Sequence, residues 1–185
     1  MTNEELDLWA RKILSKDENK ILLKRNDLDG FYDKMYNDWG NGHFPDFTRF
    51  FLSRGVNPLP YFKRKIPDWC FSKLKIGENN ITLKEGITTI GYGAFYNCID
   101  LKEITLPRSL IETSSSVFKN CKNLRKVTFK SIPKLKGPIF SGNSALTDIY
   151  LPKPTNDYET TRTNWVINHM FKNDMDIDKI NIHYI

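Results

Sequence analysis

Cysteine and histidine are scarce in this chain, and long apolar runs are missing altogether. No stretch approaches the roughly eighteen consecutive apolar residues of a membrane-spanning helix, so no membrane partner is expected. Cys70, Cys98 and Cys121 are odd in number and contain no Cys-x-x-Cys pair. That favours reduced thiols over a disulfide framework, and three cysteines cannot make a four-cysteine zinc site. His43, His169 and His183 lie far apart in sequence, with neither His-x-x-x-His nor His-Glu-x-x-His spacing, so zinc has no ligand set. There is no Walker loop and no Gly-x-Gly-x-x-Gly. The stretch KRNDLDGFYDKMY invites comparison with a calcium loop, but counting back from Gly30 puts Arg25 at the first ligand position and Tyr36 at the twelfth. No catalytic residue, metal or cofactor is expected.

What the chain does have is enough apolar material for a core: 39% hydrophobic and 13% aromatic residues in a length that suits one domain or a short capped solenoid. The net charge of +6 leaves nucleic acid as an alternative partner. Its densest patch is Lys63-Arg64-Lys65, with Lys73 nearby, and acids are interleaved elsewhere. A dispersed surplus of that size serves solubility more readily than phosphate recognition. The opening MTNEELDLWARK puts acids before any apolar stretch and has no small-residue cleavage site, which leads us to expect a cytoplasmic protein.

The dominant feature is repetition. The stretch IGYGAFYNCIDLKEITLP, residues 90–107, recurs down the chain. Leu101, Leu124 and Leu146 keep one step, as do Ile104, Val127 and Ile149, and Leu106, Phe129 and Leu151. Phe95, Phe118 and Phe140 follow the same interval. Earlier, Ile81-Thr82-Leu83 copies Ile104-Thr105-Leu106, and IPDWCF copies IGYGAF loosely; later, IDKINI at 177–182 copies LKEITL. A short Leu-x-x-Ile-x-Leu strand cannot bury its apolar face alone, so coils of this length stack and share one core. Strand alternation then points Ile104 and Leu106 inward, and Glu103 and Thr105 outward. Cys98 and Cys121 occupy one repeat position on adjacent coils, where a buried small apolar side chain is the expectation.

The unit resembles the BspA-like leucine-rich repeat, carried here by IGYGAFYNCIDLKEITLP and SSSVFKNCKNLRKVTF over about residues 66–152, with an echo at 177–182. The third copy departs from the pattern, with Asn143 at the cysteine position and no Ile-x-x-Ile-Gly turn in FKSIPKLKG. The resemblance implies a curved α/β solenoid used for protein binding, without catalytic residues.

The flanks read as caps. Residues 1–62 form a helical N-terminal cap, with helices expected from Leu6 to Leu14, Phe31 to Trp39 and Asp46 to Arg54, then an extended link through PLPYF. Residues 63–152 form the solenoid. Residues 153–185 form a C-terminal cap, with a helix from about Thr160 to Lys172 suggested by Trp165, Met170 and Phe171, and a last strand at 180–182.

The residues expected to meet a partner lie on the outward face of the repeat strands. Thr82, Glu103 and Thr105 come first, then Lys126, Thr128 and Lys130, and then Asp148 and Tyr150. Asn80, Lys84, Lys179, Asn181 and His183 share their alternation. Tyr150 stands where the other strands carry threonine, which makes it the natural anchor. The expected function is a non-catalytic protein-binding module. Its compact form suggests a phage or mobile-element inhibitor of a host defence factor, such as a nuclease or CRISPR effector, acting in the host cytoplasm. The alternatives are an effector delivered into another cell, or a nucleic-acid binder using Lys63, Arg64, Lys65 and Lys73.

Overall fold

LKEITLP and its copies fold as stacked coils because each offers a strand with one apolar face and a tight turn on either side. The computed structural model describes residues 8, 30, 44–53, 55–172 and 175–185. Helix α1 (Phe44–Leu52) and a 3-10 turn at Leu59–Tyr61 precede nine short strands. These are β1 (Lys65–Ile66), β2 (Asn80–Thr82), β3 (Thr89–Ile90), β4 (Glu103–Leu106) and β5 (Glu112–Thr113). They continue with β6 (Lys126–Phe129), β7 (Lys134–Leu135) and β8 (Asp148–Leu151), then helix α2 (Asp157–His169) and β9 (Asn181–Tyr184). Two parallel sheets run along the stack, a long-stranded one in the order β2-β4-β6-β8-β9 and a short-stranded one in the order β1-β3-β5-β7.

The register follows the repeat. Ile81 pairs with Ile104, Ile104 with Val127 and Val127 with Ile149. In β4, β6 and β8 the second and fourth residues are buried while the first and third reach the surface. Slipping any strand by one residue would turn this apolar set outward, so burial itself fixes the pairing. Inside the coils Phe71, Phe95, Phe118, Phe140 and Phe171 form one column of rings, with successive centroids 5.3, 5.6, 5.7 and 5.5 Å apart. Phe171 extends the ladder beyond the repeats and joins Phe140 through a parallel bridge.

The turns between the two sheets depend on left-handed backbone at fixed places. Trp69, Gly93 and Ser116 have φ of 58, 57 and 58°, and Lys73, Asn97 and Asn120 have φ of 58, 55 and 60°. This conformation is uncommon outside glycine and costs energy for most side chains. Here it turns each amide along the stack to meet the next coil. Trp69 N donates to Tyr92 O at 2.8 Å, Lys73 N to Tyr96 O at 2.7 Å, Asn97 N to Lys119 O at 2.8 Å and Asn120 N to Ser141 O at 2.7 Å.

The cysteines are fully buried and unbonded to one another. Cys98 Sγ donates to Phe71 O and Cys121 Sγ to Phe95 O, both at 3.0 Å. Asn143 does the same work one coil later, with Nδ2 donating to Phe118 O at 2.8 Å. The apparent defect in the third copy therefore conserves the interior hydrogen bond while changing the atom that makes it.

Several expectations for the flanks need correction. The helices expected at Leu6–Leu14 and Phe31–Trp39 lie outside the described residues. Helix α1 begins two residues before the expected start and buries Phe47 and Phe50. PLPYF is not extended: Tyr61 N bonds Pro58 O, and Asn57 Oδ1 accepts from Leu59 N, which closes a 3-10 turn compatible with proline's fixed φ. Helix α2 starts at Asp157, where Asn156 accepts from Glu159 N at 2.9 Å and Glu159 in turn bonds Thr155 N. Its buried side chains are Thr163 and Val166, while Trp165 faces solvent at 46% exposure.

The last strand is shifted as well. Aligning IDKINI on LKEITL equates Ile180 with Ile104, but β9 pairs Ile182 with Ile149, two residues further along. A slip of two preserves which side chains face outward, so Asn181 and His183 still do. Lys179 instead sits in a short 3-10 turn, paired with Asp176 at 2.8 Å.

Candidate functional site

The outer face of the long-stranded sheet carries two rows of polar side chains, set by register. One row runs Asn80, Glu103, Lys126, Asp148, Asn181, and the other runs Thr82, Thr105, Thr128, Tyr150, His183. Threonine suits the exposed side of a strand, where its branched side chain packs on the pleat. The first half of the second row is accordingly a flat rail of small hydroxyls. Tyrosine interrupts that rail in β8, on a strand that the neighbours hold on both sides.

Around Tyr150 the polar groups are tied together. Its ring stacks on the His183 imidazole with centroids 4.4 Å apart and planes 15° apart. Lys126 Nζ lies 5.2 Å from the Tyr150 centroid, a cation over a π face, and also 3.5 Å from Glu103 Oε2. His183 Nε2 lies 2.8 Å from Asp148 Oδ1. Since the carboxylate accepts, Nε2 carries the proton. Thr147 Oγ1 donates to the other carboxylate oxygen at 2.7 Å, and Asn181 Nδ2 approaches Oδ1 at 3.4 Å. The His183 bond, followed by the Thr147 bond, lowers the Asp148 carboxyl below its usual range. The result is a connected patch across β4, β6, β8 and β9 in which an aromatic ring is ordered before any partner arrives.

Not every residue expected on this face belongs to it equally. Lys130 lies just beyond the end of β6 and reaches Glu85 at 4.0 Å. Lys84 lies beyond β2 and donates to Pro60 O. Lys63, Arg64 and Lys65 stand at and before β1, on the short-stranded side, whereas Lys73 sits in a turn. The structure thus separates the cations that sequence proximity grouped. Lys126 is on the long-stranded sheet, apart from both.

Burial raises the Cys121 thiol to about 12 and pushes the Cys98 thiol well up, so neither is a nucleophile in the folded chain. Among the described residues no group of three or more His, Cys, Asp and Glu side chains could hold a metal ion. No helix among them is long and apolar enough to cross a membrane. Sequence alternation found Asn181 and His183, but nothing in it could show that His183 would stack on Tyr150.

The family model described as BspA type Leucine rich repeat region matches residues 64–184 in six copies. A comparison with curated proteins finds no match. Among solved structures, the crystal structure of the pneumococcal vaccine antigen PcpA is similar at 18% identity, with a TM-score of 0.38. The similarity covers 68% of this chain and 40% of that one.

Proposed function

The chain belongs to the BspA-type leucine-rich-repeat family, and from that premise we propose that it binds a protein partner through the outer face of its long-stranded sheet, with Tyr150 as the anchor. Repeats of this kind are interaction modules, since stacking leaves an extended surface on which no residue is needed for the core. The carrying observation is the ordered patch of Tyr150, His183, Lys126 and Asp148 beside the threonine rail. A pre-ordered aromatic loses little side-chain freedom on binding, and tyrosine is enriched among residues that dominate interface energies. Thr82, Glu103, Thr105 and Thr128 form the approach to it, with Lys130 at its margin.

A host protein is the partner class we favour. Inhibition of a defence nuclease or CRISPR effector, or delivery into another cell, draws on the chain's size alone and gains nothing from the fold. The test is affinity capture from a lysate with and without nuclease, read by mass spectrometry, repeated with Tyr150→Ala and with Thr105→Arg/Thr128→Arg. One stoichiometric protein, retained after nuclease and lost with both variants while their unfolding midpoints stay unchanged, is the expected result. Capture that vanishes with nuclease, or that ignores both variants, overturns the assignment.

A further inference from the structure

On the ridge of turns, away from the long-stranded sheet, the second coil carries glycine in the column where its neighbours carry Trp69 and Ser116. A Cβ at Gly93 would lie 2.6 Å from the ring atoms of Trp69. The indole therefore occupies the space that a side chain at 93 would need. Tyr92 and Tyr96 stand near-perpendicular to it, with centroids at 4.9 and 5.6 Å. These three rings line an open cavity of about 520 Å³, completed by Ser72, Ser116, Lys73, Lys119 and, from α1, Pro45 and Arg49.

Among the described residues the lining contains three cations and no acid. Arg49 is held 3.3 Å from Asp46, whereas the ammonium groups of Lys73 and Lys119 have no ion-pair or hydrogen-bond partner among the described residues. Ser72 is only 6% exposed, and its hydroxyl likewise has no partner there. That hydroxyl opens on the cavity, where a ligand atom can accept from it. The Trp69 indole N–H is a further donor without a partner among the described residues. Aromatic faces, unpaired cations and spare donors together select a ligand that is planar, negatively charged and rich in acceptors.

We propose that this notch binds a nucleobase with its attached phosphate, the base against Trp69 and the phosphate toward Lys73 and Lys119. Base-on-aromatic stacking flanked by lysines is the chemistry by which single strands are held without sequence readout. A cationic ligand is repelled here, and a purely apolar one leaves Ser72 and both ammonium groups unmet. The site is independent of the Tyr150 patch, and of the Lys63-Arg64-Lys65 stretch, which does not line it.

Adenosine 5′-monophosphate and a fluorescein-labelled ten-nucleotide adenine RNA are titrated separately into the full chain, by calorimetry and by anisotropy. Saturable binding of the mononucleotide assigns a free nucleotide as the ligand. Binding of the RNA alone assigns a single strand. In either case Trp69→Ala and Lys73→Glu/Lys119→Glu are each expected to weaken binding about tenfold or more, the scale of one lost stack or of two lost phosphate contacts. The lysine variant alters exposed Lys73 and half-buried Lys119, both on turns outside the core, and so keeps the test valid if Trp69→Ala fails to fold. Absence of binding by both ligands overturns the proposal. So does equal competition by inorganic pyrophosphate, which has no base, or equal weakening by Lys63→Glu/Lys65→Glu, which would mark diffuse charge attraction.

Discussion

Phe118→Ala removes the middle ring of the column that runs through every coil. Phe118 is fully buried and stacks on two neighbours, Phe95 at 5.6 Å and Phe140 at 5.7 Å. Truncating a buried phenylalanine costs about 3–5 kcal/mol, from lost transfer energy plus the cavity left behind. Each stacked pair adds about 0.5–1.5 kcal/mol beyond area. Two pairs are lost here, so the upper part of that range, about 4–5 kcal/mol, is expected. Phe171 ends the column with one stacked neighbour and 6% exposure, and its truncation is expected to cost about 3 kcal/mol. Urea unfolding followed by far-ultraviolet circular dichroism reads both. In a chain of this length, melting should fall by about 10 °C or more for Phe118→Ala. A loss below about 1 kcal/mol for Phe118→Ala, or a larger loss for Phe171→Ala than for Phe118→Ala, would refute the stacked-coil account of the core.

Thr113 occupies the column of Ile66, Ile90 and Leu135, is fully buried, and its hydroxyl has no partner among the described residues, so Thr113→Val is expected to raise stability by about 1 kcal/mol in the same urea experiment; a decrease would show that the hydroxyl is satisfied. Cys98 and Cys121 should resist alkylation at pH 8 until the chain is denatured, because burial holds both thiols protonated, and stoichiometric labelling of the native protein by mass spectrometry would contradict this. The Asp148 carboxyl is lowered in the folded chain, so its contribution is present above the ordinary carboxylate range and lost as pH falls below about 4. Asp148→Asn should flatten that acid limb of the unfolding curve, and an unchanged limb would remove the His183–Asp148 bond from the account.

Periodicity made the coils legible because stacking forces each apolar position to recur wherever the chain passes the core. Ile104, Val127 and Ile149 could be aligned with no other information, and Phe95, Phe118 and Phe140 likewise. The signal fades where the interval changes. Residues between Leu151 and Asn181 make a long excursion through α2, so counting from Ile177 gave a register wrong by two. Parity survived because period-two burial constrains it more strongly than the absolute offset. Helix α2 begins three residues before the expected Thr160, because its start is set by the capping pair Asn156 and Glu159, not by the Trp165, Met170 and Phe171 that suggested the helix. On the docking face, alternation identified which side chains point outward. It could not reveal the stack of Tyr150 on His183, since those residues are joined only by folding. The cavity beside Trp69 was equally hidden, since its lining comes from α1 and from turns of successive coils that only folding brings together.

Because every coil-to-coil hydrogen bond in the two sheets runs along the stack, the molecule has a mechanical direction. Residues 65 and 184 lie in strands at opposite ends of the stack. Tension applied between them loads these bonds end-on, one coil at a time, instead of shearing a whole sheet at once. Each step of 22 or 23 residues in the register releases about 80 Å of chain. Pulled this way, the protein should yield as a staircase of evenly spaced extensions through the inner coils, with one longer step of 33 residues where β9 leaves β8, while the coils not yet reached keep their faces intact.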